Sequence, residues 1–127
     1  ALQRVRREVG RDGAAYTLRI EPGAITGSWK LSDGKVEQFR LGADGALARA
    51  AGKTSGDAIP LDRLDPGVPE KMIVAIQDAG GALQDVAYFA PVWDEGNEVL
   101  EWVAVMRDGV TPPRYRSDET GQIVRPA

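Results

Sequence analysis

Paired carboxylates are the candidate groups for general acid–base chemistry in this sequence. The 127 residues include no His and no Cys, which removes imidazole bases, thiolate nucleophiles, disulfides and zinc sites built from these residues. Two acidic pairs have spacings compatible with an acid and a base, Asp94 with Glu95 and Glu98 with Glu101. Three of these residues lie at a predicted strand turn. Water solvates both carboxylates of a pair equally there, so neither is set apart as the acid or the base. We therefore expect no catalytic residue and no enzymatic activity.

Two further segments have oxygen- or glycine-rich patterns that can bind ions or phosphates. The loop at Asp94 and the segment Asp118-Glu119-Thr120-Gly121 offer oxygen ligands to a hard cation such as calcium, but neither has the spacing of an EF-hand loop. Gly52-Lys53-Thr54 is similar to the end of a phosphate-binding loop, yet no glycine lies five residues before Gly52. We expect plain turns at these positions, with no metal and no cofactor.

Charge is distributed unevenly along the chain. The formal net charge is −3 with a pI near 5.0, and residues 57–101 hold ten acidic residues against only Arg63 and Lys71. This acidic segment argues against nucleic acid as a partner, because binding to a phosphate backbone needs a clustered basic face. The basic exception is the start of the chain, which contains Arg4, Arg6, Arg7 and Arg11. A solvated helix face is favoured there over a phosphate contact.

No apolar run approaches the roughly 20 residues of a membrane span, and no signal-peptide core is present. The chain starts at Ala1 without a methionine, which is compatible with an excised domain or with a mature product that has lost a leader or lipid anchor. The absence of Cys suits the cytoplasm, and it equally suits an envelope protein whose lipid-attachment Cys lies upstream. Both compartments stay open on the residues alone.

Hydrophobic spacing predicts two helices and several antiparallel strands. Leu2, Val5 and Val9 share one helical face, and a second helix begins near Pro69 and ends before Gly80. Apolar residues alternate in the segments between turn signals, so strands are expected near residues 16–20, 25–31, 36–41, 47–49, 86–92, 100–106 and 115–125. The predicted fold class is α+β, with two helices packed on an antiparallel β-meander sheet.

The two halves of the chain suggest an internal repeat. The windows Phe39–Arg49 and Tyr115–Arg125 align without a gap and share an aromatic residue, Arg, Gly, an aliphatic residue and Arg, and Trp29 and Trp102 precede them. Coincidence stays an alternative, because a polar turn before an aliphatic strand is common in β proteins. A tandem repeat predicts a first helix-plus-meander module at 1–50, a linker at 51–67 and a second module at 68–127, in one compact unit.

The order of these elements resembles the PepSY-like domains of bacterial envelope proteins. The second half, residues 69–126, carries the resemblance best, in Tyr88, Trp102, Asp108-Gly109 and an aromatic-x-x-D-x-x-G-x-[IV] ending from Tyr115 to Ile123; the first half matches more weakly through Trp29, Asp33-Gly34, Phe39 and Asp44-Gly45. A tandem of such units also resembles the β-lactamase inhibitory protein architecture, in which two modules present a concave sheet to a protein. The resemblance implies a secreted or envelope location and a binding or inhibitory role, and it transfers no catalytic residue.

Strand alternation also predicts which residues could bind a partner. It places Val86, Tyr88, Leu100, Trp102, Trp29 and Leu31 toward the helices, and Phe89, Glu101, Val103, Val105 and Arg107 on the opposite face with Arg19 and Lys30. That second face is either covered by the other repeat or a dimer partner, or exposed as a protein-binding surface. Trp93, at the start of a turn, is either an anchor for a partner or a staple over the hairpin. The candidate binding residues are Phe89, Trp93, Glu101, Val103, Val105 and Arg107.

These features together favour a non-catalytic extracytoplasmic domain that binds or inhibits a protein partner through the open sheet face and the adjacent Trp-bearing turn. The expected partner is a protein and not a nucleic acid, and the chain is expected to be a monomer or homodimer. The alternatives are an accessory envelope lipoprotein or scaffold domain without a defined ligand, and a regulatory appendage of a larger enzyme.

Overall fold

The computed structural model describes residues 2–10, 13–53 and 57–127 and divides the chain into two compact units, Ala1–Arg63 and Leu64–Ala127. The division falls inside the predicted linker 51–67. Part of that segment is ordered by packing, since Ile59 bridges Ala15 and Leu64 is buried. Ser55 and Gly56 of the linker, and Arg11 of the basic start, lie outside the described residues.

The first unit is one helix followed by four antiparallel strands. The helix α1 spans Leu2–Val9, and the strands are β1 Ala14–Glu21, β2 Ala24–Lys30, β3 Val36–Gly42 and β4 Leu47–Ala51. They pair in the order β4-β3-β2-β1. The apolar stripe of α1 is buried as the spacing predicts, because Leu2, Val5 and Val9 all fall on one face of the helix.

The second unit repeats this order of elements. The helix α2 spans Val68–Asp78, and the strands are β5 Val86–Asp94, β6 Val99–Met106, β7 Arg114–Ser117 and β8 Arg125–Pro126. They pair antiparallel in the order β5-β6-β7-β8. Proline in the first turn of α2 suits a position whose N–H has no helical partner. The described residues therefore form the predicted α+β fold.

An aromatic cluster stabilises the first unit. The rings of Trp29 and Phe39 stack with centroids 4.0 Å apart and an interplanar angle of 11°. Trp29 Nε1 donates to Glu37 Oε1 at 3.1 Å, Arg49 Nε donates to the same oxygen at 2.9 Å, and the Arg49 guanidinium lies 5.9 Å from the Trp29 ring centroid. One carboxylate thus ties the buried indole to an exposed arginine across three strands.

This geometry predicts an acid-sensitive contribution to stability. The Trp29 hydrogen bond, followed by the Arg49 hydrogen bond and charge, holds the pKa of Glu37 below its ordinary value. A carboxyl group with a lowered folded pKa stabilises the fold above its unfolded pKa of about 4.3, and that contribution disappears as the pH falls through the folded pKa. Glu37→Gln should therefore lose less stability than the parent protein between neutral and acidic pH, measured as the urea midpoint. The control is Glu21→Gln on β1 of the same sheet, and an unchanged acid dependence in Glu37→Gln would contradict the assignment.

Candidate functional site

The two faces of β6 have opposite characters. Leu100, Trp102, Ala104 and Met106 are at most 6% exposed, and α2, whose Met72 is fully buried, contacts β6. The helix therefore covers this face. Glu101, Val103 and Val105 alternate with the buried residues and are half-buried on the other side. We call that side of the second unit's sheet the open face. The sequence placed every residue of β6 from Leu100 to Met106 on the correct side.

The prediction for β5 was wrong, because the strand contains a bulge. Val86 pairs with Met106 but Tyr88 pairs with Val105, so one extra residue, Ala87, lies in β5 between these pairs. The alternation therefore changes sides after Val86. Phe89 lies opposite Ala104, is 6% exposed and belongs to the helix-covered face. It is a core residue, and we remove it from the candidate binding residues.

The same bulge brings other residues of β5 to the open face. Tyr88 lies opposite Val105, Ala90 opposite Val103 and Val92 opposite Glu101. Val92 is 49% exposed, and Val99, which has the parity of Glu101 on β6, is 43% exposed. Neither valine is among the candidate binding residues predicted from the sequence. Parity alone could have identified Val99, whereas no local signal marks the bulge that exposes Val92.

Trp93 lies on the helix-covered side of the sheet. It is half-buried and opposite Leu100. The turn that follows is fixed by the Asp94 carboxylate, which accepts hydrogen bonds from the Asn97 side-chain amide at 2.8 Å and the Asn97 backbone N–H at 3.3 Å. These bonds, the side-chain bond first, lower the pKa of Asp94. Trp93 therefore lies on the opposite side of the sheet from Glu101, Val103 and Val105.

Strands β7 and β8 add arginines to the open face. Arg114 lies opposite Val105, Arg116 opposite Val103, and Arg125 opposite Arg116. Arg107 is exposed and follows β6 with the parity of Val105. These four are all the arginines of residues 64–127, a segment with eleven acidic and five basic residues. Within β6, β7 and β8 the one acidic residue is Glu101.

One of the arginines is held by a carboxylate. Arg116 Nη2 donates to both oxygens of Glu101, at 2.9 and 2.8 Å. Both side chains are partly exposed, so the pair contributes at most about 1 kcal/mol and acts mainly by fixing the orientation of the two groups. Within the described part of the chain, the side chains of Arg114 and Arg125 form no ion pair. Their charges therefore face solvent.

A groove of about 320 Å³ lies at one end of the open face. Its lining consists of buried, charged and exposed apolar residues: Val99, Leu100, Glu101, Arg116, Ser117, Asp118, Ile123 and Arg125. Ile123 is 62% exposed. The loop that carries it is anchored to α2, because Lys71 Nζ donates to the Thr120 carbonyl at 3.0 Å and Gly121 is buried with a φ of 77°. That positive φ favours glycine.

The acidic loop at Asp118 is occupied by its own hydrogen bonds. One oxygen, Asp118 Oδ1, accepts from Thr120 Oγ1 at 2.8 Å, Thr120 N at 3.0 Å and Gln122 N at 3.1 Å. These bonds, that of the Thr120 side chain first, lower the pKa of Asp118. The arrangement is an Asx turn. Residues 2–10, 13–53 and 57–127 contain no cluster of acidic side chains that could hold a metal ion.

Four basic residues in the described part of the first unit have local partners or face solvent. Arg4 Nε donates to Glu8 at 2.9 Å within α1, and Arg6 Nε donates to the Leu61 carbonyl at 2.9 Å, so Arg6 ties the helix to the segment after β4. Arg19 and Lys30 are exposed on the face opposite Trp29, as the alternation predicts. That face is polar, unlike the open face of the second unit.

No helix in the described ranges is long and apolar enough to cross a membrane. Comparison of the chain with protein-family models, curated proteins and solved structures finds no match.

Proposed function

We propose that this chain is a non-catalytic protein-binding domain that contacts its partner through the open face of the second unit. The observation that carries the proposal is the exposure of Val92 and Val99, at 49% and 43%, on the sheet face opposite α2. Large aliphatic side chains that gather on one exposed face are typical of interaction sites, whereas scattered ones are ordinary.

The composition of the open face also supports a protein partner. Its centre is aliphatic, with Val103 and Val105 half-buried and Tyr88 beside them on β5. Arginines border this centre on β7 and β8 and after β6. Aromatic residues and arginine are enriched in protein interfaces, and an apolar centre with a charged rim is their usual arrangement.

The proposed class of domain is PepSY-like, in a tandem arrangement. Both units have one helix followed by four antiparallel strands, with Trp in the second strand and an aromatic residue in the third. Both first strands are also irregular, with a register shift between Ala15 and Thr17 and another between Val86 and Tyr88. These parallels support a repeat. The extracytoplasmic location and an inhibitory mode of binding rest on the family resemblance.

Site-specific photo-crosslinking tests the proposed contact surface. A photoreactive phenylalanine analogue replaces Val92 or Val99 in turn, and in a third variant it replaces Val74, a 56% exposed residue of α2 in the same unit. The protein is irradiated in extract of its source cells, and adducts are identified by mass spectrometry. All three sites are exposed valines, so non-specific reaction should be similar at each.

We expect Val92 and Val99 to give the same discrete protein adduct, and Val74 to give none of it. The result follows because only the first two positions lie on the open face. Equal adducts from all three positions, or no adduct from Val92 and Val99, would contradict the proposal and favour a scaffold domain without a defined ligand.

A further inference from the structure

We propose that the segment bound by the open face is acidic: its carboxylates pair with Arg114 and Arg125, and a neighbouring aliphatic side chain enters the groove between Val99 and Ile123. This inference rests on the proposed function and adds the chemistry of the partner. It is carried by the placement of charge, by the pairing state of each arginine and by the apolar lining of the groove.

The charge of the open face is opposite to that of the unit that bears it. Residues 64–127 have a formal net charge of −6, yet three of their four arginines lie on this face in β7 and β8, and the fourth, Arg107, follows β6 with the parity of Val105. Two acidic residues share the face: Glu101, which is bonded to Arg116, and Asp94, which lies opposite Val99 and accepts a hydrogen bond from Asn97. The other nine acidic residues of this segment lie outside strands β5 to β8. A positive surface on an otherwise acidic unit attracts a negative partner, and two copies of this face repel each other in a face-to-face contact.

Arg125 and Arg116 face each other across β7 and β8 in direct register. Like charges in this position destabilise a strand pair. Glu101 offsets the charge of Arg116 through two hydrogen bonds, which leaves Arg125 and Arg114 without an acidic partner in the described residues. A carboxylate of a bound segment would supply one, and guanidinium groups bind carboxylates in bidentate geometry.

The groove provides the apolar part of the recognition. Leu100 and Ser117 are its buried lining residues, and Val99 and Ile123 are its exposed aliphatic residues. A volume of about 320 Å³ is at the small end of ligand pockets, so it suits a side chain and not an extended ligand. Asp118 Oδ1 accepts three hydrogen bonds from its own loop, and these fix the loop that presents Ile123.

The apolar lining favours a protein segment over other polyanions. Nucleic acids and sulfated polysaccharides would pair with the arginines but leave Val92, Val99 and Ile123 exposed to water. An extended segment with alternating acidic and aliphatic residues covers both kinds of group, because its side chains alternate with the same period as those of the sheet. The occupant we commit to is therefore an acidic protein segment with aliphatic residues between its carboxylates.

The test uses two short synthetic peptides that differ only in charge. Each alternates valine with a charged residue, which is glutamate in one and lysine in the other, and binding to the full chain is followed by fluorescence anisotropy. The variant is Arg114→Glu with Arg125→Glu. The matched control is Lys30→Glu with Arg40→Glu, which makes the same change of charge at exposed strand positions of the first unit. Circular dichroism checks that each variant is folded.

We expect the glutamate peptide to bind the parent protein at least about tenfold more tightly than the lysine peptide, because Arg114 and Arg125 attract its carboxylates and repel the lysine side chains. The Arg114 and Arg125 double variant should lose this preference, and the control should keep it. If the double variant does not fold, Arg125→Gln alone should reduce the preference.

Other outcomes would overturn the inference. Equal affinity for the two peptides, or no measurable binding of either, would show that the face does not select acidic segments. The crosslinking experiment at Val92 tests the proposed function independently of this result. Tighter binding to heparin or to vesicles of phosphatidylglycerol and phosphatidylcholine than to the glutamate peptide would assign the arginines to a non-protein polyanion.

Discussion

The Trp102→Ala variant is expected to lose about 3–5 kcal/mol of unfolding free energy, as is usual when a fully buried aromatic residue is truncated. Trp102 is 0% exposed and lies in the middle of β6 on the face covered by α2. Its removal leaves a cavity that the sheet cannot close without moving the helix. The loss is measured as the change in the free energy of unfolding in urea.

The chemistry of Trp102 allows a sharper comparison with Trp29. In the described part of the chain Trp102 Nε1 has no hydrogen-bond partner, whereas Trp29 Nε1 donates to Glu37 at 3.1 Å. Trp102→Phe therefore removes volume alone, and Trp29→Phe removes volume and a hydrogen bond. We expect Trp29→Phe to cost more, by about 0.5–1.5 kcal/mol. An equal or larger loss in Trp102→Phe would contradict this account of the two tryptophans.

Gly27→Ala is expected to destabilise the first unit by about 1–3 kcal/mol, the usual cost of forcing extra volume into a packed site. A β-carbon at Gly27 would clash with the carbonyl oxygen of Thr17 and lie 3.2 Å from the α-carbon of Leu18. These are backbone atoms of the paired strand β1, just after its register shift. The clash can be relieved only by moving one strand away from the other.

The matched control for Gly27→Ala is Gly96→Ala. The nearest atom to a β-carbon at Gly96 is Asp94 Oδ1 at 3.5 Å, an ordinary contact, and Gly96 has no positive φ. Thermal unfolding followed by circular dichroism should show a clear drop in Tm for Gly27→Ala and little change for Gly96→Ala. Similar Tm values for both variants would mean that β1 and β2 can separate without cost at this position.

Strand alternation predicted β6 correctly because β6 is regular. The extra residue of the β5–β6 pair lies in β5, and the residues of β6 from Leu100 to Met106 are paired consecutively, so a period of two assigns every side chain of β6 to the correct face. The same rule failed in β5, where the extra residue Ala87 changed the sides of all later residues, including Phe89 and Val92. A bulge is a property of the pairing of two strands, and the sequence of one strand does not specify it.

The arginine placement was also only partly accessible from the sequence. Arg114 and Arg116 alternate with Tyr115. The alternation of side chains within β7 therefore places both arginines on the face opposite a buried aromatic residue. The position of Arg125 across from Arg116 depends on how residues 118–124 turn back. That turn is set by the hydrogen bonds of Asp118 and by the contact of Gly121 with α2, which are tertiary features.

The central claim, that the open face is where this chain binds a protein, is tested most directly by the dissociation constant of the protein captured through Val92. The constant is measured for the parent chain, for Val99→Asp on the open face, and for Val74→Asp on α2. The last variant is a matched control, because it makes the same substitution at another exposed valine. We expect Val99→Asp to weaken binding at least about tenfold and Val74→Asp to leave it unchanged. Equal effects of the two substitutions, or no effect of either, would contradict the account.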